Sequence, residues 1–251
     1  MKKFLICSIA VAALGCNKKP TAEMEEAAQA TNDAIALILI SAESASHVTD
    51  GRRDAICPAI SSDGTLTDFT VTVDYGEGCT PTSGLWLAEV SGAYDVSYAD
   101  ETLSVAFDDF SSIECAISGD ISGSYDGVGL QGVALTLNTD LTGTCGSYEA
   151  TLDVDDLTAD IAPTKASLDG DTSLTSSDGS FGLNFGDLTF VYDDFWGECP
   201  LPSSGTVAVS IDDITVTITF SDTSPESGEV EVQQGRKKVT LNICEYAEYW
   251  Y

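Results

Sequence analysis

Tyr148-Glu149-Ala150-Thr151-Leu152-Asp153-Val154-Asp155 decides the fold class of this chain. Tyr148, Ala150, Leu152 and Val154 fall on every second position, with Glu149, Thr151, Asp153 and Asp155 between them. A strand points successive side chains to opposite faces, so this period sets an apolar face against a wet one, as in an antiparallel sheet with one side in water. The same period runs outward in both directions. Upstream it holds Phe69, Val71, Val73 and Tyr75, then Val105 with Phe107, then Val133, Leu135 and Leu137. Downstream it holds Phe181, Leu183 and Phe185; Val207, Val209 and Ile211; Ile214, Val216, Ile218 and Phe220; and Val239, Leu241 and Ile243. Ser62-Asp63-Gly64, Tyr125-Asp126-Gly127 and Ser177-Asp178-Gly179 read as turns between runs. The expected class is all-β: an antiparallel meander of about twelve strands, whether curved sheet, sandwich or half-barrel, with one N-terminal helix packed on it.

Two short signatures recur inside this pattern. Gly-[Ala/Ser]-[Tyr/Phe] occurs at Gly92, Gly123, Gly146 and Gly179, and Asp-Asp followed by an apolar residue at Asp108, Asp155, Asp193 and Asp212. With Val105 and Phe107 inward, strict alternation also turns Asp109 inward, which is costly for a carboxylate. A bulge or strand end at each Asp-Asp removes the conflict and returns Phe110 to the core. The spacing is too irregular for a solenoid and fits hairpins of unequal length.

The one segment with helical character runs from Thr21 to about Ser46. Thr21 can cap it, and Glu23, Glu25 and Glu26 sit where the helix dipole favours anions. Its second half, Ala34-Ile35-Ala36-Leu37-Ile38-Leu39-Ile40, is apolar on all sides, so it is expected either to be buried in a concave sheet or to face a partner or lipid. No second helix is expected.

The chain has 251 residues, with 41 acids, 10 bases and one histidine, for a net charge of −31. Between Asp54 and Glu231 the single base is Lys165. Nucleic acid needs clustered Lys and Arg, so nucleic-acid binding is excluded. Disorder is excluded too, since 43% of residues are hydrophobic.

Residues 1–16 read MKKFLICSIAVAALGC, with basic Lys2 and Lys3 and an apolar run from Phe4 to Leu14 too short to span a bilayer. Ala13-Leu14-Gly15-Cys16 resembles the lipobox of bacterial lipoproteins, with Ala where Leu is usual at its first position. That resemblance implies a signal peptide over 1–15, a diacylglyceryl thioether on Cys16, and a membrane partner reached through that lipid. Asn17 in place of an inner-membrane retention Asp implies sorting to the outer membrane, facing either periplasm or surface. Residues 16–48 then form tether and helix, and 49–251 a single β domain. Removing the signal leaves eight bases against 41 acids. Six cysteines remain: Cys57, Cys79, Cys115, Cys145, Cys199 and Cys244. An even number in an exported chain reads as disulfides. Sequential pairing, 57–79, 115–145 and 199–244, is expected because each pair brackets neighbouring antiparallel strands. Cys57-Pro58, Asp74-Tyr75-Gly76-Glu77-Gly78-Cys79 and Leu241-Asn242-Ile243-Cys244 together resemble a loose set of β-rich, cysteine-containing bacterial lipoproteins, a resemblance that implies no activity.

Chemistry is sparse. His47, the sole histidine, reads as a polar helix-end residue, and Trp196 beside Asp193, Asp194 and Glu198 as a half-buried aromatic. Calcium takes six to eight oxygens; Asp153, Asp155, Asp169 and Asp171 are the candidate ligands, but no EF-hand spacing joins them, and a solvated acidic face is the preferred reading. No cofactor is required. The expected role is non-catalytic: a lipid-anchored envelope protein with a structural or binding function. The alternatives are a periplasmic carrier holding a hydrophobic ligand between curved sheet and helix, and a calcium-dependent adhesin. A transmembrane barrel, suggested by the terminal Tyr249-Trp250-Tyr251, conflicts with an outer face that carries Asp throughout.

Overall fold

A computed structural model describes residues 19–47, 58–65, 67–79, 90–112, 115–129, 132–162, 164–191 and 201–246. Helix α1 is Ala22–His47. The strands are β1 (Ala59–Thr65), β2 (Asp68–Cys79), β3 (Val90–Ala99), β4 (Thr102–Ser112), β5 (Cys115–Gly129), β6 (Gly132–Cys145), β7 (Tyr148–Ala162), β8 (Lys165–Ser176), β9 (Gly179–Val191), β10 (Ser204–Ile211), β11 (Ile214–Phe220), β12 (Glu229–Gln234) and β13 (Lys237–Asn242). All thirteen lie in one sheet in sequence order, each pairing antiparallel with its chain neighbours. The meander is therefore a single sheet and not a sandwich.

Alternation makes this sheet. On β7, Ala150, Leu152 and Val154 are buried, while Glu149 and Asp153 are exposed. Inward residues from β2 through β12 join α1 in one continuous apolar cluster. A sheet this wide can bring all its strands to one core only by curling around what it covers. At β7 and β9 to β12 what it covers is α1, and at β2 to β4 Tyr75, Tyr94, Phe107 and Phe110 pack on one another. Thr21 starts the helix, its hydroxyl accepting the Met24 amide at 3.3 Å, with Glu23 and Glu25 in the first turn. From Ala30 to Leu39 every residue is buried, with no wet stripe. Burial on all sides decides between the two expectations for this helix: it faces protein, not a partner. It lies against β7, β9, β10, β11, β12 and the 3₁₀ turn Ile243–Tyr246. Ala27, Ala28, Ala30, Ala34 and Ala36 keep it slim enough to enclose. A second, one-turn helix, α2 (Ser224–Ser227), links β11 to β12, which corrects the expectation of a single helix. Pro225 supplies the fixed φ of a helix start.

The Asp-Asp pairs act as expected where they are described. Between Phe107 and Phe110 the register with β5 slips, Asp109 takes φ 49°, and Phe110 returns inward at 4% exposure. Val154-Asp155-Asp156-Leu157 repeats the device, with Asp156 at φ 58° and Leu157 buried. Asp212-Asp213 instead closes a tight turn between β10 and β11, and Asp193-Asp194 lies outside the described residues. A third bulge, unmarked by a doublet, sits at Gly186-Asp187 between inward Phe185 and Leu188, with Asp187 at φ 50°. Bulges bring backbones together, and glycine is what fits opposite. A Cβ on Gly92 of β3 would lie 2.0 Å from the Asp109 carbonyl oxygen, and one on Gly205 of β10 would lie 2.6 Å from that of Asp187. Side chains cap the displaced amides. Asp156 N–H donates to Asn138 Oδ1 at 3.0 Å, and Asp187 N–H to Asp169 Oδ1 at 3.2 Å.

Two expected turns are not turns. Ser62-Asp63-Gly64 lies within β1, in register with β2, and Tyr125-Asp126-Gly127 lies within β5 at a register slip. Gly64 serves close strand approach rather than reversal: a Cβ there would lie 2.2 Å from the Asp68 carbonyl oxygen. Ser177-Asp178 does reverse the chain, from β8 to β9.

Candidate functional site: the polar centre of the enclosed helix

Thr31, Asn32 and Asp33 form a polar triplet in the buried part of α1, each with no exposed surface. A carboxylate so placed requires donors. Gln29, one turn earlier, donates its Nε2–H to Asp33 Oδ1 at 2.8 Å. Tyr148, at the first position of β7, donates its hydroxyl to Asp33 Oδ2. Both carboxyl oxygens accept, as an ionised carboxylate must. Tyr148 is 5% exposed. Burial first, then the hydrogen bond and charge of Asp33, push its phenol well above the ordinary tyrosine range. The phenol therefore stays neutral well beyond neutral pH, and its bond to Asp33 ties helix to sheet across 115 positions of sequence. The Thr31 hydroxyl and the Asn32 amide have no hydrogen-bond partner among the described residues. Each such group weakens the seat of the helix by about 1–3 kcal/mol.

The cysteines are placed as follows. Cys115 and Cys145 are direct cross-strand partners at the base of the β5–β6 hairpin and are joined by a disulfide, as sequential pairing requires. Cys79 and Cys244 are each disulfide-bonded; Cys57 and Cys199, their expected partners, lie outside the described residues. So do Cys16, the signal segment, Trp196 and the terminal aromatics, as does the side chain of His47.

Two of the four candidate calcium ligands are engaged within the sheet. Asp169 caps the Asp187 amide, and Asp171 Oδ1 accepts from Asn184 Nδ2 at 2.8 Å. Asp153 is exposed on β7 opposite Ser173; the side chain of Asp155 is not among those described. Among the described residues no three His, Cys, Asp or Glu side chains converge to hold a metal ion.

Asp33 and Tyr148 were not legible from sequence as a pair. The one signal was a polar triplet set just before the apolar half of α1. Chemically the pair is a fastener: Asp33 is closed to solvent and Tyr148 nearly so. No known protein family, curated protein or solved structure matches the chain.

Proposed function

We propose that this protein is a lipid-anchored component of the bacterial outer membrane with a structural or binding role and no catalysis. The observation that carries the reading is where the helix begins relative to Cys16. Five residues lie between Cys16 and Ala22, so the two are at most about 20 Å apart when the chain is extended. The helix that follows runs into the interior of the sheet and is fastened there. A lipid on Cys16 therefore holds the whole β domain close to the bilayer instead of on a long leash. The outer face suits water: Asp74, Asp95, Asp120, Asp140, Asp153 and Asp169 are exposed on β2, β3, β5, β6, β7 and β8, and carboxylates in such a row are expensive in hydrocarbon.

The carrier reading meets an obstacle in α1, which fills the concave side where a hydrophobic ligand would sit. Carriage would require the helix to withdraw and the Asp33–Tyr148 bond to break.

Metabolic labelling with an alkynyl fatty acid tests the anchor. The wild-type chain is expected to take up label and enter the detergent phase, and a Cys16→Ser chain to do neither. Equal label in both would overturn the reading.

A further inference from the structure

We propose that the β12–β13 turn, with the segment that leads into α1, is the face of the protein that rests on anionic phospholipid headgroups; this inference depends on the Cys16 anchor. Acid dominates every stretch from Asp54 to Glu231, which has Lys165 as its single base. Of the bases outside it, Lys19, Arg236, Lys237 and Lys238 gather where the fold brings two distant segments together, while Lys2, Lys3, Lys18, Arg52 and Arg53 lie outside the described residues. Thr21 donates its hydroxyl to Gln234 Oε1 at 2.8 Å, across 213 positions. Lys19 is thereby set beside the turn that carries Arg236, Lys237 and Lys238. The carboxyl of Glu23 reports the same proximity. It is held below the usual range by its backbone amide and the Thr21 hydroxyl first, with smaller help from Gln234 and the charge of Lys237.

The tip is open. Lys19, Gly235, Arg236 and Lys238 are exposed, and a Cβ on Gly235 would meet nothing within 4 Å. Acids are present here too. Lys238 pairs with Glu231, and Glu23, Glu25 and Glu26 occupy the first turn of α1. Lys19, Arg236 and Lys237 are the bases left to meet phosphate.

Screening decides why this local balance outweighs the net charge. At physiological salt, charges more than about 8 Å from the headgroups are largely invisible to them. Among the described residues, the other faces would bring carboxylates inside that distance with Lys165 as their single base. This end brings bases, and the anchor sits within about 20 Å of it along the chain. A base at an anionic surface strengthens contact roughly fivefold, so Arg236 and Lys237 together contribute on the order of tenfold to thirtyfold.

The test uses the lipidated protein reconstituted in vesicles of phosphatidylcholine alone or with phosphatidylglycerol, read by amide hydrogen exchange at residues 234–238. Exchange there is expected to slow roughly tenfold or more in the anionic vesicles. The slowing should vanish in 0.5 M NaCl and in R236Q/K237Q, whose thermal midpoint should match wild type because both side chains sit at the turn. Equal exchange in the two vesicle types, with the protein floating on both, overturns the docking face and leaves the anchor standing. Absence of a diacylglyceryl mass on the Cys16 peptide overturns both.

Discussion

Replacing Tyr148 by Phe removes one hydroxyl and little volume, so it isolates the bond between helix and sheet. The structure sets its magnitude. Tyr148 donates to a carboxylate without exposed surface, and hydrogen bonds to charged groups are worth about 1.5–3 kcal/mol. In Y148F the carboxylate keeps Gln29 as a donor and loses the phenol, so the variant should be about 2 kcal/mol less stable at pH 7. For a chain of this size that is a fall of about 4–8 °C in melting temperature. The sign of the pH dependence follows from the raised phenol. A group whose folded pKa lies above its unfolded value stabilises fully below the unfolded value, near 10 for tyrosine, and that stabilisation is lost as pH rises beyond it. At pH 11 the unfolded phenol is mostly ionised and the folded one is not, which costs the wild type about 1.4 kcal/mol that Y148F does not lose. The gap between the two proteins should therefore shrink from about 2 kcal/mol at pH 7 to below about 1 at pH 11. Urea unfolding followed by far-ultraviolet circular dichroism from pH 7 to 11 measures it. A gap that stays constant across that range would show that Tyr148 is not held neutral in the folded protein, and the account of the buried, hydrogen-bonded phenol would fall.

Other expectations are sharp enough to test together. Gly92→Ala should cost about 2–4 kcal/mol, combining a positive φ with a collision against the Asp109 carbonyl. Gly146→Ala, also at positive φ but with nothing within 4 Å of its new Cβ, should cost only about 1–2; equal losses in thermal melts would refute the packing argument. Replacing both Cys115 and Cys145 by Ala opens a loop of 30 residues and should cost about 3–4 kcal/mol in urea unfolding; an unchanged midpoint would mean that the β5–β6 ladder alone fixes that hairpin. Millimolar calcium should move the melting temperature no more than magnesium at equal ionic strength. A calcium-specific rise would reinstate a site built on Asp153, Asp155, Asp169 and Asp171.

Period-two alternation made the sheet readable from sequence, because every inward strand position has to be apolar for the core to close. The Asp-Asp bulges were readable for the complementary reason, that an inward carboxylate is intolerable. Gly186-Asp187 escaped because it lacks the doublet. Its true signature is the spacing of inward apolar residues, Phe185 to Leu188, which Phe107 to Phe110 and Val154 to Leu157 share. Ser62-Asp63-Gly64 misled because glycine and aspartate serve edge strands as well as turns. Enclosure of α1 was half visible in its uniform apolarity. Its fastening to Tyr148 was not, since that contact depends on how far the sheet curls, a distance no local pattern encodes. The pairing of Gln234 with Thr21 is hidden for the same reason.

The thirteen-strand order has a consequence for how the molecule assembles. Each hairpin closes on sequence-local contacts, which form early. The helix precedes every strand in the chain, yet much of its seat lies in β10, β11, β12 and the 3₁₀ turn that follow the other strands. Until those last strands exist, an apolar segment waits without a home while the sheet grows towards it. The element made before every strand is thus among the last to be satisfied, and its burial reports that the sheet has been built to its end.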